Sequence, residues 1–316
     1  MNFHTAICAG TKLPDFGKGR IFNMTLSYLL QQLLNGLSIG GAYALIAIGY
    51  TMVYGILRMI NFAHGDVIMM SGYFAIYSMA VFPWYISIPL VIVGTIALGV
   101  IIERMAYKPL RSAPRMSVMI SAIGVSYLLE NLANYLFTAM PQSYPQIDML
   151  KHVYTFGDIT VSRVTLIAPI LTVIMTIGLI LLVNHSKLGM AMRACSKDQD
   201  TARIMGIKVD KIITMTFVVG CGLAAVGSIL YFTDRNTVQP YSGSLPGLKC
   251  FVAAVLGGIG SIPGAMVGGF IVGICQIVIT AAGYSVFSDA FTFVLLIIIL
   301  LVKPTGIFGE RATDKV

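Results

Sequence analysis

His185–Lys211, HSKLGMAMRACSKDQDTARIMGIKVDK, is the longest strongly charged stretch inside an otherwise apolar chain. Uncharged runs flank it, Val164–Asn184 before and Ile212–Phe232 after. Each run is about 21 residues, enough to cross a hydrocarbon core of roughly 30 Å at about 1.5 Å per residue. The charged stretch therefore hangs between two membrane spans. It carries Lys187, Arg193, Lys197, Arg203, Lys208 and Lys211 against Asp198, Asp200 and Asp210. That basic excess puts it on the cytoplasmic side, because positively charged loops stay inside.

The stretch has internal order. Ser196 followed by Gln199 fits a capping box, and Gly206 is a good helix stop, since glycine takes the left-handed cap without strain. A short helix over about Lys197–Met205 is expected between them, with Ala202 and Met205 on one face. So short a helix is not stable alone and needs a surface to lie on. It reads as an ordinary connecting loop or as a docking element for a soluble partner.

Composition sets the class. Of 316 residues, 57% are hydrophobic and 11% charged, against about 25% charged in soluble domains. The fold class expected is all-α, a polytopic transmembrane helical bundle of about 8–9 membrane segments with helices broken by Gly and Pro. The 32 glycines suit close helix packing in lipid. A net charge of +8 resides mostly in cytoplasmic loops, so it reports topology and not nucleic-acid binding. Five cysteines, Cys8, Cys195, Cys221, Cys250 and Cys275, have no paired spacing, so neither disulfides nor a metal site is expected.

Working outward gives nine apolar runs. Residues 1–24 are a polar, basic leader without the apolar core of a signal peptide, and disorder is expected there. The membrane domain is expected over 25–303, with 185–211 as its cytoplasmic segment and 304–316 as a cytoplasmic tail. The first span is Leu34–Ile56, followed by Val67–Phe82 and Ile86–Ile102. Pro83-Trp84-Tyr85 marks an outer interface, where Trp and Tyr prefer to sit. Glu103–Arg115 is a basic cytoplasmic loop, Ser117–Met140 the next span, and Pro141–Arg163 an outer loop. Gly247–Ala282 is too long for one span and splits at Ser261-Ile-Pro-Gly264, and Ala290–Val302 is the last run. An outside N-terminus follows, which the basic leader opposes.

Two polar groupings stand out. Asn61, His64 and Asp66 fall in a short break between apolar runs. Ionisable groups at membrane depth often mark a pathway. The favoured reading on residues alone is a tight turn at the cytoplasmic interface, where they meet water. Glu130, Asn131 and Asn134 lie near the outer end of their span. They line the mouth of a pathway, or they bond between helices, as polar side chains do in bundles. Catalytic signatures are missing: no GxxxxGK[ST] phosphate loop, no HExxH and no GxSxG elbow. No cofactor is implied, and ATP hydrolysis is not expected of this chain.

From about Met24 to its end, the chain resembles the LivH-type permeases of branched-chain amino acid ABC importers. The likeness is carried by GGAYALIAIGYTMVYGILRMINFAHGD (Gly40–Asp66), ERMAYKPLR (Glu103–Arg111), SAIGVS (Ser121–Ser126) and AAVLGGIGSIPGAMVGG (Ala253–Gly269). Arg193-Ala194, Ala202 and Gly206-Ile207 look like the coupling segment of ABC-importer permeases. The resemblance implies residence in the bacterial inner membrane and a second homologous permease subunit. It also implies two cytoplasmic ABC ATPases docked around Arg193, Ala194, Asp198, Ala202, Met205, Gly206 and Ile207, and an extracytoplasmic substrate-binding protein. Leu, Ile or Val would be moved by alternating access. Glycines Gly257, Gly258 and Gly260 would line the pathway at an interrupted helix, or else only pack against a neighbour. The alternatives are an ABC permease for urea or short amides, and a stand-alone secondary transporter. A membrane-embedded enzyme is disfavoured by the missing catalytic constellation.

Overall fold

A computed structural model describes residues 26–309, apart from 112, 148, 149, 151, 157 and 158. The leader and most of the tail expected from the sequence lie outside the described residues. The chain is helical almost throughout. Helix α1 spans Leu26–Leu57, α2 His64–Val81, and α3 Trp84–Ile102, which continues through a π turn at Glu103–Tyr107. Helices α4 (Arg115–Phe137) and α5 (Arg163–His185) follow, then two short helices, α6 (Lys187–Lys197) and α7 (Gln199–Ile204). The rest is α8 (Val209–Arg235), α9 (Ser244–Gly257), α10 (Ile262–Ala281) and α11 (Ser288–Val302). Two small antiparallel pairs decorate the loops. Strand β1 (Gln142–Ser143) pairs with β4 (Thr237–Val238), and β2 (Val153–Phe156) with β3 (Ile159–Ser162). An all-α reading does not foresee these pairs.

Among the described residues, seven helices are long and apolar enough to cross a membrane: α1, α3, α4, α5, α8, α10, and α11 with the turn before it. The two remaining apolar runs are α2 and α9. Helix α2 is made too polar by His64 and Asp66, and α9 is short, with 14 residues. The nine runs are therefore present, but seven, not eight or nine, meet the span criterion.

Helix α1 is the axis of the bundle. It is apolar all round, which suits burial on every side. Residues Ala42–Ile48 are almost fully enclosed, with α10, α8, α5 and α9 around them. Close approach to α10 explains the glycines. Gly36-xxx-Gly40 on α1 faces Gly269-xxx-Gly273 on α10. A methyl group added at Gly273 would sit 2.3 Å from the Gly40 Cα, and one at Gly269 would sit 2.4 Å from the Ala44 Cα. Small residues at such a crossing let backbones touch and gain dispersion contacts that lipid cannot replace. Interhelical hydrogen bonds add specificity. The Thr172 hydroxyl donates to the Gly41 carbonyl at 3.0 Å, and that of Ser228 to the Ile68 carbonyl at 2.9 Å.

The outer helices show the converse pattern. Val93 and Ile101 on α3, Tyr127 and Tyr135 on α4, Ile170 and Ile174 on α5, and Leu301 on α11 are all exposed. Lipid or a second subunit is the natural cover for such apolar faces. The basic ends share one side: Arg58 after α1 bonds to the Ser196 and Lys197 carbonyls, and Arg111 pairs with Asp210. The positive-inside rule makes that side cytoplasmic. At the opposite side Gln31 on α1 donates to Thr160 in β3.

Candidate translocation cavity and coupling segment

Two helices begin inside the bundle, and their start points face each other. After Leu57 the chain turns at Arg58, with φ +52°, and climbs back beside α1. His64, the first residue of α2, packs on Gly49 and lies edge-on to Tyr50, ring centroids 4.5 Å apart. Tyr50 is seven residues before the end of α1, so α2 begins about 10 Å inside that end at 1.5 Å per residue. Helix α9 starts beside it: Gly65 nests between Gly243 and Gly247 with backbone contact on both. The turn-at-the-interface reading of Asn61, His64 and Asp66 is thereby overturned. They are 3%, 1% and 1% exposed, so they are buried inside the bundle rather than in water. Glycine at both helix starts is what allows a backbone to fold back this closely.

Beside these starts lies a cavity of about 270 Å³, walled by α2, α4 and α9 and the segment before α2. It approaches the roughly 300–1,000 Å³ of small-molecule sites. Asp66 and Glu130 both line it, with Ser126 and Ser244 between them and Tyr50, Ile123, Leu248 and Phe251 as apolar wall. The Ser244 hydroxyl donates to Glu130, and Ser126 lines the same cavity as Asp66. Asp66 Oδ1 has no hydrogen-bond partner. Asp66 also stands in the first turn of α2, where the helix dipole favours negative charge.

Other expected pathway residues lie elsewhere. Asn131 is exposed and donates back to the Tyr127 carbonyl of its own helix at 2.7 Å, so it turns away from Glu130's cavity. Asn61 accepts from the Tyr107 hydroxyl at 2.8 Å, tying the segment before α2 to the end of α3. The His64 ring is packed between Gly49 and Tyr50 and does not line the cavity. The α9–α10 break falls at the cytoplasmic end, where Gly257 abuts Gly264 and Gly258 abuts Gly309. The Ile307 and Phe308 amides cap the Leu256 and Gly257 carbonyls at 2.9 Å each. Gly257 and Gly258 are thus covered and Gly260 is exposed, in a turn outside the cavity with φ +103° at Gly258 and +97° at Gly260.

A residue missed from the sequence is Lys249, on α9 and 4% exposed. Its ammonium pairs with Asp289 at 2.5 Å and donates to the Gln276 Oε1 at 3.1 Å. Tyr43 donates to the same Gln276 oxygen at 3.0 Å. The cluster thus ties α9 to α1, α10 and α11.

The charged segment is built as two helices, not one. Ser186 caps α6, accepting from the Gly189 amide at 2.9 Å. Asp198 caps α7, accepting from the Asp200 and Thr201 amides at 3.0 and 3.3 Å. The expected Ser196–Gln199 capping box is therefore wrong. Ser196 lies inside α6 and donates to the Arg193 carbonyl. Gln199 reaches across to the Ile56 carbonyl at 2.7 Å instead of back along its own helix. Aspartate caps as well as serine does and brings a charge that complements the dipole, so the break falls at Asp198. Gly206, φ +84°, closes α7 as expected. Its amide bonds to the Arg203 carbonyl at 3.0 Å and the Ile207 amide to Ala202 at 3.0 Å, the paired pattern of a Schellman cap.

Ala202 and Met205 do not share a face. Ala202 is buried against the bundle, whereas Met205 is 76% and Ile204 85% exposed. Arg193 is exposed and reaches the Asn184 carbonyl at 3.3 Å, Ala194 and Ile207 are half-buried, and Asp198 and Gly206 face outward. Cys195 is buried, which pushes its thiol above the usual range. The start of α8 is tied down too: Arg111 bridges Asp210 and the fully buried Glu103, and Thr214 donates to Glu103 at 3.0 Å.

A many-span helical bundle with an acidic cavity and a basic segment between two of its spans is the architecture of a polytopic membrane protein. The family described as "Branched-chain amino acid transport system / permease component" matches residues 32–300, and the chain belongs to that family. It is 40% identical over 303 residues to the high-affinity branched-chain amino acid transport system permease protein LivH of Escherichia coli K12, covering 92% of this chain and 98% of that one. It is 42% identical over 308 residues to the corresponding permease protein BraD of Pseudomonas aeruginosa, with the same coverage. It is 28% identical over 282 residues to a probable LivH of Methanocaldococcus jannaschii, covering 84% and 88%. The chain is a multi-pass membrane permease subunit.

Proposed function

We propose that the chain is the translocating subunit of an ATP-driven importer that moves leucine, isoleucine and valine across the bacterial inner membrane. Two separate ATPases act on it through residues 193–207. A second homologous permease completes the path, and an extracytoplasmic binding protein supplies the solute. Family membership over 92% of the chain is the observation that carries this reading. The exposed Ile204-Met205 tip supports it. Two large apolar side chains held out on a capped helix have little reason to face water. Their helix is anchored to α1 through Gln199, and the preceding α6 is held by Arg58 at the end of α1, so displacement of the tip is passed to the axis of the bundle.

ATP binding shifts such a bundle between outward- and inward-open states only as far as it distinguishes them. The roles of the residues follow from chemistry: the lever transmits, the cavity holds solute, and no residue reacts. Co-purification tests the docking surface. Ile204→Asp or Met205→Asp should leave the permease folded and abolish recovery of the ATPases. Full recovery with either variant would remove the docking role.

A further inference from the structure

Asp66 and Glu130 line one cavity, without a basic partner there among the described residues. We propose that these two carboxylates are the subsite for the α-ammonium group of the transported amino acid, with Ile123, Leu248 and Phe251 taking its aliphatic side chain. The inference rests on the functional reading above and sharpens it to one chemical group. Asp66 is 1% exposed, lines the cavity, and has an Oδ1 without a hydrogen-bond partner. Asp66 lines this cavity of about 270 Å³ while its buried Oδ1 finds no donor among the described residues, so the carboxylate is left to be compensated from the cavity side. Among the described residues no Lys or Arg lines that cavity. Lys249, the residue after Leu248 in the same helix, is directed at Gln276 and Asp289 instead.

The charge logic selects the ligand. A buried carboxylate is costly unless a cation and hydrogen bonds compensate it. An alkyl ammonium supplies both, with three donors against the oxygens of Asp66, Glu130 and the Ser126 hydroxyl. Urea and short amides are neutral and leave the carboxylates uncompensated. A metal ion is disfavoured, because among the described residues no three His, Cys, Asp or Glu side chains gather. The apolar wall excludes a second charged end on the ligand at that side.

Carbodiimide modification of the purified importer tests the subsite. Mass spectrometry reads the extent of modification at Asp66 and Glu130 in the nucleotide-free complex. Leucine and 3-methylbutylamine, which keep the ammonium, should slow modification at least threefold. The control 4-methylpentanoate keeps the side chain and lacks the ammonium, and it should not protect. Asp66→Asn and Glu130→Gln should each lower leucine uptake by the complete importer tenfold or more, and Asp66→Glu should recover part of it. Equal protection by 4-methylpentanoate, or wild-type uptake by Asp66→Asn, overturns the subsite alone. Protection and uptake with urea or acetamide, but not with leucine, overturn the functional reading along with it.

Discussion

Removing one partner of the Lys249–Asp289 pair should cost far more from one side than from the other. The Lys249 side chain is 5% exposed and that of Asp289 is 42%. Asp289→Asn strands an ammonium in the bundle with Gln276 Oε1, at 3.1 Å, as its remaining strong acceptor. Breaking a buried pair in this way costs about 3–5 kcal/mol. Lys249→Met leaves a carboxylate that already meets the surface in the first turn of α11, where the dipole favours it. That loss should be about 1 kcal/mol, in the range of exposed pairs. At roughly 2 °C per kcal/mol for a chain of this size, Asp289→Asn should lower the midpoint of thermal unfolding by about 6–10 °C and Lys249→Met by about 2 °C. The double variant should match Lys249→Met, since no charge is left stranded. Thermal unfolding of the purified permease in detergent, followed by the fraction remaining monodisperse, reads all three. Equal single effects, or a double variant as unstable as Asp289→Asn, would refute the reasoning.

Further outcomes follow from the same geometry. Gly273→Leu drives a side chain into the Gly40 backbone, 2.3 Å from its first carbon. It should abolish accumulation of folded protein, measured by fluorescence-detected size exclusion, whereas Gly178→Leu, with open space around it, should not. Gly206→Val places a β-branched residue at φ +84° with nothing within 4 Å to clash; strain of about 1–3 kcal/mol should fray α7 and lower ATPase co-purification, and Gly206→Asn should retain most of it. Asp198→Ala removes the α7 cap at a cost of about 1 kcal/mol, and should raise amide hydrogen exchange over 199–205 without changing that of α8.

The bundle was legible in the chain because its signals are local. Nine apolar runs, the charged interval between two of them and the Gly206 stop each depend on residues close in sequence. Boundaries inside the interval failed where two caps competed within three residues, and Asp198 prevailed over Ser196. The cavity is a different kind of object. Asp66 and Glu130 are 64 residues apart, and only the α2–α4–α9 junction unites them. Glu130 and Asn131 are neighbours, yet a helix turns about 100° per residue, so one faces the cavity and the other leaves it. Lys249 is a single charge in a long apolar run, and its partners Gln276 and Asp289 lie 27 and 40 residues on. The buried start of α2 hid for the same reason: a short polar break reads alike at an interface and inside a bundle until Gly65 is seen in contact with Gly243 and Gly247.

Solute accumulation in sealed proteoliposomes tests the central claim most directly. The chain should be reconstituted with its partner permease and ATPases, and supplied with leucine and the binding protein. Concentrative uptake should appear only when the ATPases and ATP are present on the side that residues 186–207 face. Uphill uptake by this chain alone, driven by an ion gradient, would contradict the account.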